Sequence, residues 1–379
     1  MKITAGVLQV VCNSAVHDHD YLSTPRTGRV VDFIDSMAKQ CPEMRDFLHD
    51  YRTAQQSHHR LTVMETKGQM LALSAVKDDN SFSYYTGLPS YEVFLALYDY
   101  LAPLAHDMQY VSNSGKVHNA KRFRCKPGRP RSLSLEEEFF ATLVRLRLGL
   151  PARDLSRRFG IAQSTFSVIF NTWVILLSKE LQKICCMPQT ERSKSKQAEC
   201  FDNFNNVRIV LDCTELFSQT PTSLAAHKHM HSNYKHHSTV KFLVGMSTSG
   251  AVTYISSMWG GRASDKKITS EADDLIRSLQ PGDTVMVDRG FTISKDLPDG
   301  VSLLIPPFKN RSTGQFTKEE LEYSEKISVA RIHVERAMRA IKEFQILAVE
   351  VKLAMINNYE NIFKACAYLV NFKRPFLKV

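Results

Sequence analysis

The chain has 379 residues, of which 43% are hydrophobic and 23% charged; 49 Lys and Arg stand against 39 Asp and Glu, for a net charge of +10. That length exceeds one ordinary core and points to two domains, and the positive excess suits a polyanionic partner, because neutralising phosphates releases their counterions. No apolar stretch approaches the roughly 18 residues a membrane span needs, so no membrane partner is expected.

The first segment, Met1 to Cys12, has too short an apolar core for a secretory signal, with Gln9 interrupting it. Residues 1–60 show no clear period. Residues 61–111 read as helical: Ser90 followed by Tyr91, Phe94, Leu95, Leu97, Tyr98 and Leu101 gives an amphipathic face that stops near Pro103. Eight scattered cysteines (Cys12, Cys41, Cys125, Cys185, Cys186, Cys200, Cys213, Cys366) include no Cys-x-x-Cys pair. Neither a zinc finger nor a disulfide scaffold is expected, and reduced thiols are the default.

Residues 112–132 form a basic linker, with Lys116, Lys121, Arg122, Arg124, Lys126, Arg129 and Arg131 and no acid between them. Its end, Lys126-Pro127-Gly128-Arg129-Pro130-Arg131, resembles an AT-hook core, whose extended backbone fits a narrow minor groove. A solvated linker or a nuclear-import signal fits the same residues. All three readings favour the nucleus or nucleic acid.

A helix-turn-helix is expected over 133–186. Ser134 and Glu137 make a capping box for a helix through Phe139, Phe140, Leu143, Val144 and Leu146. Pro151 opens a second helix that Gly160 ends, and a third begins near Gln163 and carries Phe166, Ile169, Phe170 and Trp173. Gln163, Ser164 and Thr165 then occupy the turn that touches base edges in such motifs. Ordinary helix packing would give the same pattern.

After a polar linker, 187–206, the pattern changes to strands over Val207–Cys213, Thr239–Ser247 and Ala251–Trp259, with Thr248-Ser249-Gly250 as the tight turn. A helix over about 270–279, short strands over Asp283–Asp288 and Val301–Ile305, and helices over Glu319–Tyr323 and Val329–Leu347 follow.

Three acids stand out against this frame. Asp212 and Asp288 each end an apolar run, and Glu335 lies in a helical, basic stretch, Ala330 to Ala337. A carboxylate beside four aliphatic residues is costly to bury without a cation, a helix N-terminus or a loop. Carboxylates that converge from strand ends and a later helix can hold a pair of Mg²⁺ or Mn²⁺ ions, the chemistry of phosphodiester cleavage. Salt bridges to Arg331 and Arg339 would equally explain Glu335.

In order along the chain, Leu211-Asp212-Cys213-Thr214-Glu215, Tyr234-Lys235 through Thr239 and Lys241, and Gly260 with Ser264-Asp265-Lys266 lead to Asp288-Arg289-Gly290-Phe291. Ile305-Pro306-Pro307-Phe308, Gln315-Phe316-Thr317, Arg331-Ile332-His333-Val334-Glu335-Arg336 and Leu369-Val370-Asn371-Phe372 follow. Together these stretches resemble the DDE-superfamily endonuclease domain of Harbinger-type and related transposases, across about residues 120–375.

The resemblance implies an α/β fold: a ribonuclease-H-like catalytic domain at 207–375, with a mixed five-stranded sheet and helices, preceded by the all-α helix-turn-helix domain. It implies a two-metal DNA endonuclease and strand transferase in the nucleus, with Asp212, Asp288 and Glu335 as both catalytic and metal-binding acids and Asp265 as a secondary metal contact or a cap. Tyr234, Lys235 and Lys241 match a family signature that would grip double-stranded DNA, with Arg289, Arg336 and Arg339 beside the acids. Room is left for a homo-oligomer and a second DNA-binding protein as partners. Related transposases carry a zinc-coordinating module near the N-terminus; Cys12 and Cys41 stand here without the paired ligands it needs.

The cluster His227, His229, His231, His236 and His237 can bind metal adventitiously, but nothing nearby completes a closed site, so a solvated loop is expected. His333, two residues before Glu335, is expected to be packed. A domesticated DNA-binding or regulatory protein without nuclease activity is the alternative, and a nuclease acting on RNA a third.

Overall fold

The computed structural model describes residues 71, 73, 76, 78–111, 131–187, 197–204, 206–291, 293–307 and 316–373, which lie within one compact unit, Leu71–Val379. The expectations for 1–60, for Lys126 and Arg129, and for linker residues 188–196 concern residues outside those described.

Among the described residues, five helices come first. Asp79–Thr86 (α1) is capped by Asp78 and closed by Gly87 at φ 76°, and Tyr91–Asp107 (α2) is capped by Ser90. The expected stop at Pro103 does not occur: α2 continues to Asp107, with Leu101 and Ala105 buried on either side of the proline. Burial of that face outweighs the hydrogen bond Pro103 cannot donate. Leu135–Leu148 (α3) begins with the expected Ser134–Glu137 capping box and ends at Gly149, φ 65°. Ala152–Arg158 (α4) and Gln163–Ile184 (α5) meet at 104°, within the range of helix-turn-helix pairs. Among the described residues no single helix is long and apolar enough to cross a membrane.

The sheet is mixed. Its strands are Val207–Phe217 (β1), His231–Ser232 (β2), His237–Met246 (β3), Val252–Ile255 (β4), Trp259–Gly260 (β5), Thr284–Met286 (β6) and Ser302–Leu304 (β7). The main path is β2-β3-β1-β6-β7, with β4 and β5 also on β3. β3 runs antiparallel to β1, whereas β6 runs parallel to both β1 and β7. Among the described residues the sheet has seven strands rather than the five expected, because β3 also pairs the two-residue β2 and β5; its mixed α/β, ribonuclease-H-like arrangement is the one expected.

Four local expectations are corrected. β1 does not stop at Cys213 but runs on to Phe217, because β3 supplies ladder partners as far as Thr239. The third expected strand breaks after Ile255, where the Ser256 hydroxyl accepts from Leu243 N at 2.9 Å and Met258 N donates to Glu360 Oε2 at 3.0 Å. The single helix expected over 270–279 is two, Asp265–Ser270 (α7) and Asp273–Ser278 (α8), because Ala272 leaves helical geometry at ψ 61°. Conversely, the two helices expected near 319–347 are one, Lys318–Lys342 (α9), followed by the short Gln345–Ala348 (α10). No glycine or proline interrupts Ser324–Ser328, and buried Ile327 anchors the join. Leu224–Met230 (α6) lies between β1 and β2, and Ile356–Leu369 (α11) closes the fold.

The helix-turn-helix is fused to the sheet rather than hung from it. One continuous core joins Phe139, Trp173 and Leu177 to Val210, Phe242, Ile341 and Phe363. Phe242 on β3 stacks on Phe363 of α11 with centroids 4.0 Å apart. Polar contacts reinforce the seam: Ser178 Oγ donates to Asn361 Oδ1 at 2.8 Å, and Asn358 Nδ2 to Asn171 Oδ1 at 3.1 Å. A smaller cluster on the other face of the sheet holds Ile209, Leu211, Val285, Ile268 and Phe291.

Candidate metal centre and DNA interface

Asp212 and Asp288 come together through sheet register. Val210 pairs with Met286 where β1 and β6 run parallel, and each acid lies two residues further along its own segment. Side chains alternate across a strand, so Asp212 shares the face of Val210, whereas Cys213 and Glu215 share that of Leu211. Asp212 Oδ1 accepts from Cys213 N at 2.8 Å, and Asp288 Oδ1 from Arg289 N at 2.7 Å.

Burial pushes the Asp212 carboxyl up to about 6; the Cys213 amide and Arg331 pull it down, and Asp288 and Asp265 push it further up. Asp212 is only partly exposed, while Asp288 is exposed. Arg331, on α9, donates from Nη1 to Asp288 Oδ1 at 3.1 Å, and its Nε is buried without a hydrogen-bond partner.

Glu335 sits one turn beyond Arg331. At 3.6 residues per turn, Arg331, Glu335, Met338 and Lys342 occupy one stripe of α9. Both ends of that stripe sense Asp212: Arg331 lowers its pKa, and burial with Lys235 lowers that of Lys342 while Asp212 and Glu215 oppose the shift. Glu335 is exposed, and no hydrogen bond or ion pair holds it among the described residues. Among those residues no group of three Asp, Glu, His or Cys side chains is gathered at metal-ligating distance. The donor set nevertheless fits a hard divalent cation in chemistry: carboxylate oxygens are what Mg²⁺ and Mn²⁺ prefer, and a cation would favour the charged form of Asp212 that burial, and then Asp288 and Asp265, disfavour.

Asp265 opens α7, behind the Ser264 cap. Its partner is Lys241, whose Nζ lies 3.2 Å from Asp265 Oδ1 and 3.1 Å from Glu215 Oε1. Lys241 is only 9% exposed. Burial alone would lower its ammonium pKa, but Asp265 and Glu215 outweigh that and raise it. The Lys241 ammonium is therefore committed inside the protein, under the acids, rather than offered to DNA. Cys213 lies in the same layer; burial pushes its thiol up, and Asp265 adds to the shift. Glu215 was missed in the sequence. No local signal could have found it, because only the β1–β3 register puts Glu215 opposite Lys241 in the ladder.

The other basic residues divide. Tyr234 is 81% exposed with the Lys235 ammonium 4.9 Å above its ring, and Arg336 and Arg339 are exposed on α9. Arg289 instead lies over the Phe316 ring at 5.6 Å. His333 is buried as expected, with burial, and then Arg336, lowering its pKa.

In the helical part, Gln163, Ser164 and Thr165 are all exposed on the first turn of α5. Arg131 is exposed at 5.1 Å over Tyr110. Beneath them Glu138, 2% exposed, accepts from Trp173 Nε1 at 2.9 Å and from Tyr110 OH at 2.7 and 2.8 Å. Burial raises its pKa and these donors hold it down.

Residues 211–371 match the DDE superfamily endonuclease family, and residues 131–183 match the helix-turn-helix of DDE superfamily endonuclease. No curated protein matches the chain. The first match covers all the acids, and the second begins at Arg131 and spans the exposed turn of α5. The chain therefore carries a DDE superfamily endonuclease domain of the transposase type, with the helix-turn-helix of that superfamily in front of it.

Proposed function

We propose that this protein is a divalent-metal-dependent DNA endonuclease and strand transferase, with Asp212, Asp288 and Glu335 as its catalytic acids. The observation that carries the reading is the alignment of Asp212 and Asp288 past the end of one parallel ladder, under the α9 stripe that bears Glu335. Two Mg²⁺ or Mn²⁺ ions held by these carboxylates would supply activation of the attacking water and charge stabilisation for the departing 3′-oxygen. Asp212, on the rigid central strand, fixes the position of the centre. Asp288 and Glu335, both exposed, close on it from a loop and a helix. The Lys241–Glu215–Asp265 layer braces the strand beneath. Arg336 and Arg339 hold the DNA backbone without reading sequence. In the transfer step a freed 3′-hydroxyl takes the place of water, and no covalent protein intermediate is needed. The basic run from Lys116 to Arg131 supports work on duplex DNA in a nucleus.

The test is nicking of supercoiled plasmid by purified protein with Mn²⁺. Loss of nicking in Asp212→Ala, Asp288→Ala and Glu335→Ala, each still folded, is expected. Nicking that survives all three substitutions defeats the assignment.

A second reading, a retained DNA-binding protein without cleavage, is favoured by one observation: Arg331 already satisfies Asp288. Under it, the wild type binds duplex DNA and nicks nothing at any Mn²⁺ concentration.

A further inference from the structure

Away from the acids, a cavity of about 430 Å³ is lined by Leu224, His227, Lys228, His231, Asn233 and Arg262. It contains two cations, two imidazoles and an amide, and no carboxylate. Neither Lys228 nor Arg262 has an ion-pair partner among the described residues, and both are exposed. The His227 and His231 rings meet edge to face with centroids 5.6 Å apart.

The backbone beneath Arg262 is built closely. Gly261 N donates to Thr239 O at 2.9 Å, Arg262 N to His229 O at 3.3 Å and Ala263 N to Gly260 O at 2.9 Å. A side chain at Gly260 would collide with His229 O, and one at Gly261 with Thr239 Oγ1. These two glycines let β5 press against the end of α6, which sets Arg262 facing Lys228. The same segment then runs directly to the candidate centre, since Ala263 O accepts from Lys241 Nζ at 3.2 Å and Asp265 pairs with that lysine.

We propose that this pocket holds a backbone phosphate of the DNA strand that enters the acid cluster. The proposal rests on the nuclease reading above and adds a location for the flanking strand. Arg262 and Asp265 are three residues apart, a span of at most about 11 Å. Because successive phosphates of one strand are at least about 3.4 Å apart, the bound phosphate is no more than about three nucleotides from one beside Asp265. Lys228 and Arg262 supply the charge, and Asn233 and the imidazoles supply further N–H donors. The absence of an acid from the lining distinguishes this pocket from the centre beside it, where carboxylates repel phosphate unless cations intervene.

The experiment is fluorescence anisotropy of the full chain with a labelled duplex across a salt series, without divalent metal. Lys228→Gln combined with Arg262→Gln is expected to flatten the slope of log K against log salt by about one and to weaken binding severalfold. Lys179→Gln, on the exposed side of α5, is expected to leave both unchanged. Arg262→Lys, which keeps the charge, is expected to retain the wild-type slope and shows that the pedestal still folds. An unchanged slope in the double variant, with wild type binding normally, overturns the phosphate site alone. Failure of the wild type to bind duplex DNA overturns the nuclease reading and this site together.

Discussion

Arg331 Nη1 lies 3.1 Å from Asp288 Oδ1, and the same guanidinium lowers the pKa of Asp212. One cationic side chain therefore faces both Asp212 on β1 and Asp288 in the loop after β6, with Glu335 one turn further along the same helix. Arg331 holds the charge balance of the metal-free protein.

That role gives the first prediction. Arg331→Gln removes the competitor for Asp288, so Mn²⁺ should bind more tightly, by roughly tenfold if an exposed pair contributes about 1 kcal/mol and Asp212 adds to it. A ligand that binds only the folded state stabilises it by RT ln(1 + L/Kd), where L is its free concentration, so tighter binding gives a larger shift at the same concentration. The variant should therefore melt at lower temperature than wild type in EDTA yet gain more from added Mn²⁺. A metal-induced shift equal to that of wild type argues that Arg331 and the cation do not compete.

Asp212 provides a pH dependence. Its folded pKa, about 6, stands above the ordinary value of about 3.9, so between those values the native state binds more protons than the unfolded one. Stability from this group is then present below about pH 4 and lost as pH rises through about 6. Asp212→Asn should abolish that decline and be more stable than wild type at pH 8 by roughly 1–2 kcal/mol, after discounting for partial exposure. Urea titrations in EDTA at pH 4.5 and pH 8 measure it; an equal difference at both pH values contradicts the raised pKa.

The buried carboxylate of the helix-turn-helix gives a third. Trp173→Phe keeps the ring that stacks on Phe139 at 5.4 Å but removes a donor from Glu138. Leaving that buried group short of a partner should cost about 1–3 kcal/mol. Chemical denaturation should show this at pH 7 and less of it at pH 4, where protonation makes Glu138 its own donor. A loss that does not shrink on acidification assigns the cost to packing instead.

The exposed first turn of α5 gives a fourth. Ser164→Ala with Thr165→Ala should reduce discrimination between a duplex selected from a random pool and a scrambled one by about 1–3 kcal/mol. Affinity for the scrambled duplex should barely move, because no charge changes. Competition binding reads both quantities, and equal loss on both duplexes shows that these hydroxyls do not read bases.

Much of this protein was legible along the chain because its signals are local. The Ser134–Glu137 box, Pro151 and Gly160 marked helix borders that the structure shows, Gly160 with φ 65°, since caps and left-handed closures depend on a few adjacent residues. Apolar runs before Asp212 and Asp288 marked the two strands that carry the acids. Errors arose where long-range partners overrode local cues. Pro103 did not end α2 because buried neighbours held the helix, and β1 outran its apolar run because β3 offered a partner at every position. Ser324–Ser328, polar and without glycine or proline, read as a gap yet continues as helix through the burial of Ile327.

The acids and their order were a property of the sequence, because residue type and spacing alone decide which groups are available for cation chemistry. Their relations were not. Register set Asp212 beside Asp288 and Glu215 opposite Lys241, which neutralises it, and the packing of α9 brought Arg331 onto Asp288. Each of these is a distance between residues far apart in sequence. Only packing determines such distances, since it sums many weak contacts across the whole chain.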